Sequence, residues 1–523
     1  MQGRFNLVNI RIKKIIAFLT ISVCGSYAFA AGPYWDVKAA TWTTGAYLSY
    51  PVAMKGVRPW ADVRAYGAVG DGTGDDRAAI QATINAIDAA GGGMVFIPAG
   101  TYPIANTLFV SSGISFIGAG MGHTRIVAST SIAGSVSMIQ VRQINGTPYS
   151  SAAQGDNVEI ADFTIECSSM PAGDGAGIDA FEINNLKIRN VHVKDSRGYG
   201  IHVGGTSYAV SPKMVNPLVE KCVLTNCGRN AGADSIAGGH HYGSKYLFNT
   251  CIEPNGTCID NVNVIGALWE GNISTKTTAG TNEGSIWSDW GMTRSKIVNN
   301  SIQHGTIHVF GFLGEPSDKG APSDVLIQGN HLENASSSAI LVGPANQVST
   351  DTRKMEGIRI IGNDIEGCRE DGIVITDSTG TIIANNQINN WGTTDSTTKA
   401  IRLTGGPNTS FGNRKAIISG NYGYSSYATK WYAEDSSAQT NDNTIYGNRF
   451  PSHTMSLDAT APYSVFMGIG DSDSLVRIGT VPAFAVDVRQ NRVGINTASP
   501  SFDLDVTGTA RVTGATTLAT VSA

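Results

Sequence analysis

Asp260 and Asp289 carry the chemistry that this sequence suggests first. Each stands near the start of a short apolar run, Ile259-Asp-Asn-Val in one case and Ile286-Trp-Ser-Asp in the other. Hydrolysis of a glycosidic bond needs two carboxyl groups flanking the scissile oxygen, one donating a proton and the other acting as base or nucleophile. On neighbouring strands of a parallel stack, one coil and two residues out of register, these carboxyls would lie about 8 Å apart, inside the range for inverting cleavage. Asp234 and Glu283 are reserve carboxylates, and His308, on the following run, is expected to orient or tune one of the acids. The candidate sugar-binding groups are Trp287, Trp290, Tyr242, His202, His241, Lys245 and Arg294. Flat aromatic faces pack against the C–H side of a pyranose while polar neighbours take its hydroxyls, and Arg294 suits an acidic sugar. A second chemistry draws on His240-His241-Tyr242-Gly-Ser-Lys245 with Arg294. It is β-elimination on a uronic-acid polymer, which needs a base at C5 and a cation on the carboxylate. A third reading is an adhesin or fibre that holds a glycan uncut.

The elements that must position these groups repeat. A small residue or Asn, then Asn, then an apolar residue recurs as Gly271-Asn272-Ile273, Asn299-Asn300-Ser-Ile302, Gly329-Asn330-His-Leu332 and Gly362-Asn363-Asp-Ile365. It continues through Asn386 and Asn421 to Gly447-Asn448-Arg-Phe450, at intervals of roughly 23–35 residues. Short strands, a corner Asn and loops of variable length describe an all-β fold, a single-stranded parallel β-solenoid. Asn suits the corner because it tolerates left-handed backbone and its amide can bond to the Asn of the next coil. Aligning the runs on their inward Ile gives an outward column of His202, Ala237, Asp260, Trp287, His308, Leu341, Val374 and Arg402. Polar and aromatic groups crowd its first part, and beyond Ile340 it turns mostly aliphatic. Residues 75–89 read as one helix, capped by Asp75-Asp76, with Ile80, Ile84 and Ile87 on one face and Gly91-Gly92-Gly93 as its stop.

Trp60-Ala-Asp-Val-Arg-Ala-Tyr-Gly-Ala-Val-Gly-Asp71-Gly-Thr-Gly-Asp-Asp76, then Ile97-Pro-Ala-Gly-Thr-Tyr102 and Gly118-Ala-Gly120, resembles the opening of pectate-lyase-superfamily right-handed β-helices. The resemblance implies a right-handed parallel β-helix over 57–455 with an N-terminal capping helix, and a polysaccharide substrate. That opening is shared by exported pectin-active enzymes and by phage tailspikes. The Asn-Thr-Asp and Gly-His-Gly runs of a polygalacturonase are missing, so no catalytic residue is carried over from that family. Val493-Gly-Ile-Asn-Thr-Ala-Ser-Pro500 and Leu504-Asp-Val-Thr-Gly508 resemble a module of phage tail fibres and bacterial surface proteins. It implies a small β oligomerisation module at 456–523 and a homotrimer.

The remaining features bound the setting. Arg4, Arg11, Lys13 and Lys14, the apolar Ile15–Val23 and the Ala28-Phe-Ala30 site predict a cleaved signal peptide over 1–30, followed by an extension at 31–56. A secreted or surface protein is therefore expected, with no later membrane span. Export permits disulfides. Cys251 and Cys258 are the first candidate pair and Cys222 with Cys227 the next, while Cys167, Cys222 and Cys368 also fit a packed core. No cysteine spacing matches a metal site, Asp71-Gly-Thr-Gly-Asp-Asp reads as a turn rather than a calcium loop, and no cofactor or metal is expected. With 37 basic and 42 acidic residues in 523, and no basic stripe, the chain is unsuited to nucleic acid. Its 62 glycines and low charged fraction of 15% fit many corners and stacked strands.

Overall fold

The computed structural model describes residues 59–456 apart from corner segments, the longest being 205–213, 313–320, 347–354 and 435–442, together with short strands at 35–36, 41–42 and between 465 and 506. The expected signal peptide and most of the two terminal segments lie outside the described residues. Within them the chain winds as a right-handed parallel β-helix, whose coils place successive strands on three faces.

One face, the site sheet, stacks strands in parallel register from Leu108–Val110 to Thr454–Ser456. Its inward column is Ile139, Ile178, Ile201, Ile236, Ile259, Ile286, Ile307, Ile340, Ile373 and Ile401, each paired with the next and fully buried. Burying such a side chain is worth about 1.5–3 kcal/mol, so a slip of one residue, which would turn the whole column outward, is heavily disfavoured. The outward column is paired as the spacing predicts: His202 with Ala237, then Asp260, Trp287, His308, Leu341, Val374 and Arg402.

The asparagine corner lies between the other two faces. Asn249, Asn272, Asn300, Asn330, Asn363, Asn386, Asn421 and Asn448 are buried. Each of the first seven donates from Nδ2 to the Oδ1 of the next at 2.8–3.0 Å. The same Oδ1 accepts the preceding Asn's backbone N–H, and the second Nδ2 proton reaches a backbone carbonyl. The left-handed backbone falls one residue earlier than expected, at Gly271, Asn299, Gly329, Gly362, Asn385, Gly420 and Gly447. The ladder asparagine is thus selected for its amide, and the residue before it for its φ.

The helix runs Arg77–Ala89 and packs Ile80, Ile84 and Ile87 into the core of the first coils. Its expected cap divides its work differently. The Asp75 carboxylate accepts the N–H of Arg77 and of Ala105, while Asp76 makes no cap bond and instead ties down Val69 and Gly70. Cys251 and Cys258 form a disulfide, whereas Cys222 and Cys227 are separate buried thiols directed at backbone carbonyls. Among the described residues no helix is long and apolar enough to cross a membrane, and no His/Cys/Asp/Glu group suits a metal ion.

Candidate active site

The strands Ile178–Phe181, Ile201–Gly204, Ile236–Tyr242, Ile259–Ile265, Ile286–Thr293 and Ile307–Phe312 put the chemistry-bearing residues on one outward surface. Asp260 stacks against Trp287, and Asp289 stands two residues further along, opposite Val262. At about 4.8 Å per coil and 3.3 Å per residue, this offset sets their two backbone positions about 8 Å apart.

The environments of the carboxyls differ. Burial, reinforced by the charges of Asp234 and Asp289, pushes Asp260 well above the ordinary carboxylate range. Its Oδ1 is buried and has no hydrogen-bond partner among the described residues. Asp289 is raised by burial but opposed by the indole of Trp287, whose Nε1 donates to its Oδ1 at 2.8 Å. Asp234 is also raised by burial, and its Oδ1 takes both the backbone N–H of Thr257 at 2.8 Å and its hydroxyl at 2.7 Å. Three carboxyls that cannot all ionise cheaply form an acid–base cluster, with Asp260 the member most readily kept protonated.

Aromatic rings wall the next coil. Trp287 meets His308 edge-on at 4.8 Å and Phe310 at 5.5 Å. Burial lowers His308 to about 4, so its imidazole is neutral at pH 7, and neither ring nitrogen has a partner among the described residues. On the other side, His202 Nδ1 lies 3.0 Å from Asp179 Oδ1, and Arg142 approaches the same carboxylate at 3.8 Å. Tyr199 stacks on His202 at 4.8 Å and Phe181 meets it edge-on. Between His202 and Asp260 the two outward rows hold Ala237, Gly204 and Gly239. The floor there carries nothing larger than a methyl group.

The surface therefore gathers Asp234, Asp260, Asp289, Trp287, His308 and His202. Other expected members fall elsewhere. Glu283 is held by Lys276 in a 2.6 Å ion pair. His241 is fully buried inside the coil, next to the Tyr246 hydroxyl, and burial lowers it to about 3. Lys245 begins a strand of another face, paired with Leu218 and Leu268. Arg294 is exposed at the corner past the strand's end, and Tyr242 is exposed at the far end of its own strand. Trp290 sits with Gly291 in a bulge, where the register skips between Val262 and Val264. These placements dismantle the expected His241, Lys245 and Arg294 cluster. Asp179, Arg142 and Phe181 were missed. The rule that places His202 also yields Asp179, which follows Ile178 and pairs with His202.

Comparison with known proteins gives a consistent fold. Residues 60–306 match a family model described as rhamnogalacturonase A/epimerase, pectate lyase-like. Over 162 residues the chain is 35% identical to the mannuronan C5-epimerase AlgE4 of Azotobacter vinelandii, covering 27% of each protein. The structure of that enzyme's A-module superposes with a TM-score of 0.52 at 20% identity, covering 77% of this chain and 99% of the module. A 32% match over 167 residues links the chain to the plasmin and fibronectin-binding protein A of Streptococcus pneumoniae, covering 28% of this chain and 22% of that protein. Alginate lyase 7 of A. vinelandii matches at 43% over 72 residues, 12% of this chain and 8% of the lyase. The chain spans about a quarter of the length of the first curated relative it matches.

Proposed function

We propose that this chain, a pectate-lyase-like right-handed β-helix, acts outside the cell on a uronic-acid-containing polysaccharide, with its reaction centre at Asp260 and Asp289. The observation that carries the reading is the pair of outward carboxyls, one coil and two residues apart, in unlike environments. Asp260, kept protonated by burial and by its acidic neighbours, donates to the glycosidic oxygen. Asp289, held by the Trp287 indole, takes the proton from the water attacking the anomeric carbon. Strand positions about 8 Å apart leave room for that water and fit inversion. Trp287 packs on the ring face, with neutral His308 edge-on against its indole. Asp234 holds the loop at Thr257 and adds to the field that keeps Asp260 protonated.

A second reading, proton abstraction at C5 leading to epimerisation or elimination, is favoured by the named activities of the epimerase and lyase relatives. Both readings use an acid–base pair on the same substrate class, and one experiment separates them. The protein is incubated in D2O with polymannuronate, polygalacturonate and a capsular polysaccharide panel. New reducing ends, lost in Asp260→Asn and Asp289→Asn, are the expected result. Unsaturated uronate ends, or deuterium at C5 without cleavage, would replace hydrolysis by the second reading. Binding with no covalent change would instead make the chain a glycan-binding protein that leaves its ligand uncut.

A further inference from the structure

A second aromatic surface lies far from these carboxyls. Tyr422, Tyr424 and Tyr446 are 47%, 53% and 44% exposed, on the last coils. Gln387, Tyr422 and Arg449 pair in register as one column on successive coils, on a face other than the site sheet. The column lies roughly 20 Å along the axis from Asp289, at ~4.8 Å per coil. A cavity of 540 Å³ opens there, between Asn389, Tyr422, Tyr424, Arg449 and Pro451, with Gly420, Gly423 and Gly447 as its floor.

The rings are held in place. A Cβ on Gly423 would come within 1.6 Å of the Ile388 carbonyl oxygen, so only glycine lets this backbone close on the coil below, and that closure fixes the tyrosines on either side of it. The Tyr422 hydroxyl donates to Gln387 Oε1 at 2.7 Å, and the Tyr424 backbone N–H to Asn389 Oδ1. Tyr424 also rests edge-on against His453, itself buried with its ring nitrogens 2.7 and 2.8 Å from the carbonyl oxygens of Pro451 and Ser425. An ordinary surface tyrosine pays for its freedom when it binds something. These rings are already fixed, which lowers that cost.

We propose that this cleft is a saccharide-binding site separate from the reaction centre, taking a short acidic segment of a polysaccharide. Two exposed rings two residues apart present neighbouring apolar platforms, and the volume suits one or two sugar rings. Asn389 and Gln387 offer amide groups beside the rings, and Arg449, paired in backbone register with Tyr422 and lining the same cleft, brings a positive charge that complements a carboxylate. The site would hold the polymer on one face while another segment lies across Asp260.

The test is calorimetric titration of the full chain with hexamers of mannuronate, guluronate and galacturonate, and with a neutral glucose hexamer. An Asp260→Asn background keeps the probes intact, so binding is measured whether or not the proposed reaction occurs. Tyr422→Ala with Tyr424→Ala should weaken binding of at least one acidic hexamer at least tenfold, as should Arg449→Gln, while Tyr422→Phe retains most of it. The neutral hexamer should bind more weakly throughout. Unchanged melting temperature in the double variant confirms that the fold is intact. Binding unaffected by these substitutions, or absent for every acidic hexamer, overturns the proposal. So does a double variant that changes the mass by light scattering, which would make the cleft a contact between copies of this chain.

Discussion

The corner ladder and the site column both stack one residue per coil, and they treat their polar atoms in opposite ways. Along the ladder every amide is answered, Nδ2 by the next Oδ1 and by a carbonyl, and Oδ1 by two donors from the coil before. On the site face, Asp260 Oδ1 and both nitrogens of His308 are buried with no partner among the described residues, and Ser288 and Asn261 beneath them each keep an orphaned atom. Leaving a buried polar atom unmade costs about 1–3 kcal/mol. The ladder carries none of that cost, whereas the site column carries it at Asp260 and His308.

The comparison breaks most sharply under substitution. Asp260→Asn should lower turnover by about 10²–10⁴-fold, as expected when a general acid is lost, yet leave the denaturation midpoint at pH 7 unchanged or higher. A stability loss with retained turnover would reverse the roles assigned to the two columns. In the ladder, Asn330→Ala strips the acceptor from Asn300 and the donor from the Ile297 carbonyl. It should cost about 3 kcal/mol in urea unfolding while turnover per folded molecule is unchanged.

Acidity gives the smallest and most directional effect. Asp260 has a folded pKa raised above its unfolded value near 3.9, so the folded state binds the extra proton and stability falls as pH rises through that interval. The stability advantage of Asp260→Asn over wild type should therefore vanish below pH ~4 and grow above it. His308 acts with the opposite sign. Its folded value of about 4 lies below an unfolded value near 6.5, so its contribution is lost as pH falls across that window. His308→Gln should flatten the acid limb there, and a Asn330→Ala ladder variant should leave both slopes as they are. Melts across a pH series measure all three.

Much of this was legible in the sequence because two periodicities are rigid. The inward isoleucines fix the register of the site sheet, and with it the outward column from His202 to Arg402. The repeated Asn marks the corner. The exceptions are local. Alternation counted from Ile236 places His241 outward, but the left-handed residue His240 turns the chain, and His241 pairs instead with buried Val264. Asn263 and the Trp290-Gly291 bulge make the same bend on the next two coils, so the parity rule fails at one depth all along this region. Lys245 lies beyond a further bend at Gly243, on a different face, and a linear spacing carries no sign of which face comes next. The sharing of labour between Asp75 and Asp76 depends on the neighbouring coil, which the local motif does not contain.

The ladder has one more consequence. Its rungs are separated by 28, 30, 33, 23, 35 and 27 residues, yet each amide meets the next at the same distance. Every difference in length is absorbed outside the stacked strands. Insertions and deletions at the corners are therefore invisible to the core, and heritable variation can rebuild what surrounds a polymer chain, coil by coil, without refolding the surface on which it lies.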